Sequence, residues 1–93
     1  MVERNVLVTI SGQVQGVGFR WWAIQKAKSL GINGWIRNRK DGSVEALLSG
    51  ATDAVNSMIK QCHSGPSLAI VEHVHIGEAE KSMIYGFSQA STI

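Results

Sequence analysis

Two glycines, an arginine and an asparagine carry the chemistry latent in this chain. In Ser11-Gly12-Gln13-Val14-Gln15-Gly16-Val17-Gly18-Phe19-Arg20, an apolar strand gives way to a helix across Gly16 and Gly18. Glycine at 16 and 18 admits left-handed dihedrals and lets a ligand approach the main chain with no Cβ in the way. Successive N–H groups from Gln15 through Gly16, Val17 and Gly18 to Phe19 can then converge on an oxyanion, beside the positive end of a helix that starts at Phe19 or Arg20. Arg20 adds a forked cationic donor at a helix end that disfavours a cation unless an anion joins it. The pattern therefore points to phosphate or carboxylate binding, against the plainer alternative of a structural turn with a surface arginine. Asn38 is the second element. Its amide carbonyl can accept from a water while the NH2 donates elsewhere, so it can orient a nucleophile without being a strong base. The plainer alternative there is a polar residue that starts a hairpin.

The elements that must position these groups follow from hydrophobic periodicity. Val6-Leu7-Val8-Thr9-Ile10 is a β-branched strand. From Phe19 the period changes: Phe19, Trp22, Ala23, Ala27 and Leu30 trace one face of a helix that ends near Gly31. Trp35 to Asn38 predicts a second strand, Asp41-Gly42 a turn, and Val44 to Leu48 a third strand. Thr52 or Asp53 is expected to cap a second helix, whose apolar stripe is Ala51, Val55, Met58, Ile59 and Cys62. Gly65-Pro66 ends it. In Val71 to Ile76, Val74 and Ile76 alternate with His73 and His75, as in a strand with one wet face, and residues 83–87 are expected to add a short edge strand.

The order β-α-β-β-α-β predicts an α+β fold. The expected arrangement is a ferredoxin-like split β-α-β sandwich, with a four- or five-stranded, mainly antiparallel sheet and both helices on one face. Strands one and two then run parallel with strand three between them, so Gln13 and Asn38 emerge at the same edge. That places the glycine loop and the asparagine together.

The two stretches also resemble a known family. Gly12-Gln13-Val14-Gln15-Gly16-Val17-Gly18-Phe19-Arg20 is similar to the first signature of the acylphosphatases. Gly34-Trp35-Ile36-Arg37-Asn38-Arg39-Lys40-Asp41-Gly42-Ser43-Val44, followed by Gly50, is similar to the second. The resemblance covers nearly the whole chain and weakens toward the tail. It implies a small stand-alone enzyme that hydrolyses the carboxyl–phosphate bond of acyl phosphates by in-line attack of water, with no metal and no cofactor. By this resemblance Arg20 binds the phosphate, Asn38 positions the water, and the backbone of Gln15, Gly16, Val17, Gly18 and Phe19 forms the cradle. Trp21-Trp22 stands where the family often carries a smaller aromatic pair, at the expected rim of the pocket. A carboxylate leaving group is weakly basic and needs no general acid, which agrees with the lack of an Asp, Glu or His in the motif.

Composition sets the bounds. The chain has 93 residues, 44% of them hydrophobic, which predicts one domain spanning 1–93. Nine Lys+Arg against seven Asp+Glu give +2, a weak pull on anions. Arg37, Arg39 and Lys40 form the one basic cluster, read as solvated hairpin residues or as attraction for an anionic substrate. The lone Cys62 excludes an internal disulfide and fits a reducing compartment. Met1-Val2-Glu3-Arg4 carries no leader pattern and no stretch is long enough to span a bilayer, so a cytoplasmic location is expected. The expected partner is a small-molecule acyl phosphate or inorganic phosphate, with no nucleic acid, no membrane and a monomeric state. His73 and His75 lack a third ligand for zinc. An RNA-recognition module is disfavoured because Val6 to Ile10 and Val44 to Leu48 carry no aromatic residue. A phosphate-sensing domain without catalysis is the remaining alternative.

Overall fold

The β-branched run near the start of the chain becomes an interior strand of a sheet, flanked by a partner on each side. In a computed structural model, which describes residues 3–81 and 83–93, the elements are β1 (Glu3–Gln13), α1 (Phe19–Leu30), β2 (Asn33–Asn38), β3 (Val44–Ala51), α2 (Thr52–Cys62), β4 (Ile70–Glu78) and β5 (Phe87–Gln89). Met1 and Val2, part of the stretch read for a leader, lie outside the described residues. The five strands lie in the order β4-β1-β3-β2-β5. β1 pairs antiparallel with β3 and β4, and β3 pairs antiparallel with β2. β1 and β2 are therefore parallel, with β3 between them. β5 pairs parallel to β2. This is the ferredoxin-like α+β fold, with a five-stranded mixed sheet and both helices on one face.

Alternation along the strands decides that face. Val6, Val8 and Ile10 of β1, Ile36 of β2 and Val44, Ala46 and Leu48 of β3 are buried on the helix side. Phe19, Ala23 and Ala27 of α1 and Val55, Met58, Ile59 and Cys62 of α2 close over them. Trp22 and Leu30 complete the α1 stripe as half-buried residues packed against the same core.

Several boundaries differ from expectation. β1 continues past Ile10 through Ser11, Gly12 and Gln13, because those polar residues still pair with β4 across a bulge between Ser11 and Gly12. The N-cap of α2 is Ala51, not Thr52 or Asp53; Asp53 instead sits in the first turn, where its charge suits the helix dipole. His73 and His75 do lie on the wet face, but Ile76 is also 38% exposed because β4 is an edge strand. The last strand is Phe87–Gln89 rather than residues 83–87. β4 and β5 lie at opposite edges of the sheet, so the intervening chain must first cross to β2. Among the described residues of that crossing, Met83 and Tyr85 are exposed. Pairing starts where Gly86 N–H donates to the Asn33 side chain at 2.8 Å and Gly34 N–H donates to Gly86 carbonyl at 2.9 Å. Beyond β5 the tail stays on β2: Ile93 N–H donates to Asn38 carbonyl at 3.2 Å.

Candidate active site

The parallel course of β1 and β2 brings two separate pieces of sequence to one end of the sheet. The loop after β1 reaches α1 through three anchors. Val14 and Phe19 are 1% and 2% exposed, and Val17 packs on the core between them. Phe19 is braced edge-to-face by Trp22, with ring centroids 5.3 Å apart. Gly16 and Gly18 alternate with these anchors and face outward.

Gly18 decides the geometry. It is the N-cap of α1 in the left-handed conformation (φ 79°, ψ 18°), where an L side chain is strained. The first helical hydrogen bond runs from Trp22 N–H to Gly18 carbonyl at 3.0 Å. The amides of Phe19, Arg20 and Trp21 therefore project from the helix end without intrahelical acceptors. No acidic residue occupies that first turn. The positive end of α1 is left uncompensated, and Arg20 adds a full charge to it. Among the described residues Arg20 makes no ion pair and no side-chain hydrogen bond.

A cavity of about 170 Å³ opens on this helix end, lined by Val14, Gly16, Gly18, Phe19, Arg20, Trp21, Asn38 and Gln89. Asn38 closes β2 opposite Val44, on the face that buries Ile36. Its side-chain amide makes no hydrogen bond among the described residues and is half-buried. The cavity thus combines backbone amides, one guanidinium and one carboxamide. Its lining contains no carboxylate, imidazole or thiol.

The structure separates the other residues read as cradle. Gln15 and Val17 do not line the cavity. The Gln15 side chain turns to the β2–β3 hairpin, where Nε2 donates to Arg39 carbonyl at 2.7 Å and to Ser43 carbonyl at 2.9 Å. It ties the loop to the segment that follows Asn38. Asp41 steadies the same hairpin by accepting from Ser43 N–H and Oγ–H, and these bonds hold its carboxyl below the ordinary 3.8.

Trp21 and Gln89 join the cavity from outside the residues read as site. For Gln89 the signal was strand alternation from buried Phe87, which puts the residue two further on the same face. The basic cluster resolves into pairs: Arg37 contacts Glu45 at 2.6 Å and lies 4.4 Å from the Trp35 ring centroid, and Arg39 contacts Asp41 at 3.6 Å. Neither arginine lines the cavity. Cys62 is buried away from it, its thiol pushed up to about 12 by desolvation. Among the described residues no group of three or more His, Cys, Asp or Glu could hold a metal ion, and no helix is long and apolar enough to cross a membrane.

Residues 6–88 match the family model for acylphosphatase. The chain belongs to the acylphosphatase family. It is 48% identical over 92 residues to an acylphosphatase of Nitrobacter hamburgensis, with 92% of this chain and 93% of that protein covered. Its fold superposes on an acylphosphatase from Coxiella burnetii with a TM-score of 0.91 at 33% identity, covering 95% of this chain and 93% of that one. An acylphosphatase from Bacillus subtilis gives 0.90 at 29% identity, with 96% and 99% covered. Membership carries the general activity of acylphosphatases, hydrolysis of acyl phosphates, and makes the chain an enzyme.

Proposed function

We propose that this chain cleaves the carboxyl–phosphate bond of acyl phosphates by metal-free, in-line attack of water on phosphorus. The observation that carries the proposal is the shared cavity. The Arg20 guanidinium and the Asn38 carboxamide, both unpaired among the described residues, and an open helix N-terminus all border one space able to take a phosphoryl group. Within the Gln15–Phe19 loop the backbone at Gly16, Gly18 and Phe19 cradles the phosphoryl oxygens, while Val17 anchors the loop on the core and the Gln15 side chain tethers it to the hairpin. Arg20 neutralises the equatorial charge, which is the principal task at a phosphoryl-transfer site. Asn38 accepts a hydrogen bond from water and holds it in line, supplying orientation rather than basicity. The departing carboxylate needs no acid. With no carboxylate, imidazole or thiol in the lining to take it, the proton of the water passes to a phosphoryl oxygen of the substrate.

The proposed roles need no residue from a second copy, and the enzyme is taken to act as a monomer on a small-molecule acyl phosphate. A reduced, buried Cys62 is in keeping with a cytoplasmic enzyme. The test is Asn38→Ala with benzoyl phosphate as substrate. The proposal expects a fall in kcat of about a hundredfold with KM nearly kept. A raised KM at unchanged kcat would make Asn38 a binding residue and overturn its role with water.

A further inference from the structure

The cavity is small. Its volume of about 170 Å³ falls short of the roughly 300 Å³ typical of pockets that bury drug-sized ligands. With a phosphoryl group on the Gly16–Arg20 floor, a small acyl group stays within it and a bulky one must extend over the rim. Of the lining residues outside the proposed phosphate and water sites, Val14 is buried, whereas Trp21 and Gln89 are exposed and so stand at the rim.

Trp21 is the aromatic residue free to meet that group. It is 70% exposed although it lines the cavity. Phe19 is spent on the core, and Trp22 is held half-buried against it. Side chains on a helix lean toward its N-terminus, so the indole of Trp21 covers the turn that carries the amides of the cradle. Trp21 follows Arg20 directly, on the same rigid turn. A phosphoryl group held by Arg20 therefore presents its acyl substituent beside the ring. Apart from Arg20 the lining bears no charged side chain, so a charged acyl group finds no partner at the rim, whereas an uncharged planar group gains the ring face.

We infer that Trp21 is a specificity-determining residue that selects aromatic and extended apolar acyl groups over small ones. The inference rests on the acyl-phosphate reading above. Its test compares wild type, Trp21→Ala and Trp21→Phe with benzoyl phosphate and acetyl phosphate, after circular dichroism has shown each variant folded. The ratio of kcat/KM for benzoyl over acetyl phosphate is expected to fall about tenfold in Trp21→Ala, mainly through KM for benzoyl phosphate, and to recover in Trp21→Phe. An unchanged ratio in Trp21→Ala, or no recovery in Trp21→Phe, overturns the inference. A second arm needs no turnover: the ratio of Kd values for phenylphosphonate and methylphosphonate is measured by titration calorimetry in the same proteins. If wild type hydrolyses neither substrate, the acyl-phosphate reading fails, and the phosphonate ratio still decides the role of Trp21. Equal discrimination in wild type and Trp21→Ala, or binding of neither phosphonate by wild type, overturns it.

Discussion

Truncating Gln15 separates a structural tether from a substrate contact. Its Nε2 reaches two carbonyl oxygens of the β2–β3 hairpin, at 2.7 Å and 2.9 Å. Each carbonyl keeps a backbone donor when the side chain is removed. Arg39 N–H still donates to Ser43 carbonyl at 2.8 Å, and Gly42 N–H to Arg39 carbonyl at 3.1 Å. No acceptor is orphaned in Gln15→Ala, so the loss stays near the net worth of two hydrogen bonds, about 1 kcal/mol each. With a urea m-value of about 1–3 kcal/mol per molar for a small domain, the midpoint falls by roughly 0.7 to 2 M. Activity falls with it, because the cradle loses its link to the hairpin beside Asn38. Gln15→Glu sets an acceptor against two acceptors and is expected to lose at least as much stability as Gln15→Ala. The assay is urea denaturation, with kcat/KM for benzoyl phosphate measured separately in denaturant-free buffer at a temperature where each protein is folded. A large loss of kcat/KM with an unmoved urea midpoint would refute the tether and make the amide a direct contact of the substrate.

Two further perturbations probe the scaffold. A Cβ on Gly34 would lie 1.8 Å from Leu47 carbonyl oxygen, whereas one on Gly18 meets nothing within 4 Å. Gly34→Ala is therefore expected to lose more than about 3 kcal/mol in urea denaturation, and Gly18→Ala only about 1–2 kcal/mol of left-handed strain; equal losses would contradict the packing at Gly34. Cys62 is 1% exposed, with its thiol pushed up to about 12, so Ellman's reagent should leave the native protein unlabelled at neutral pH and react once urea unfolds it. Rapid labelling of the native state would contradict that burial.

The helices and four of the strands were legible because their periods are unambiguous. The change at Phe19 from alternation to helical spacing marks both the start of α1 and the place where the cradle must lie. The proximity of Gly16 and Asn38 followed from topology alone, once β1 and β2 were read as parallel. β5 was harder: it has three residues, and its partner was decided by a crossing to the far edge rather than by local pattern. An expected end at Phe87, two residues short of the observed one, hid Gln89 from the site. The part played by the Gln15 side chain was also hidden, because a carboxamide donates equally well to phosphate and to a carbonyl. Its actual acceptors lie 24 and 28 residues away, a separation to which no local rule speaks. Arg37 belonged with Arg39 and Lys40 in the sequence, but strand alternation turned it to the sheet face bearing Trp35 and Glu45.

The central claim is that Arg20 and the helix N-terminus stabilise the transferring phosphoryl group without a metal. Its most direct test is hydrolysis of benzoyl phosphate by protein freed of metal with excess EDTA, with wild type beside Arg20→Ala. Loss of one well-aimed donor to a developing oxyanion costs about 3 kcal/mol, or at least a hundredfold in rate. Full wild-type turnover is expected in the chelator, with a hundredfold or greater fall in a folded Arg20→Ala variant. Turnover abolished by EDTA, or near-native turnover in Arg20→Ala, would contradict it.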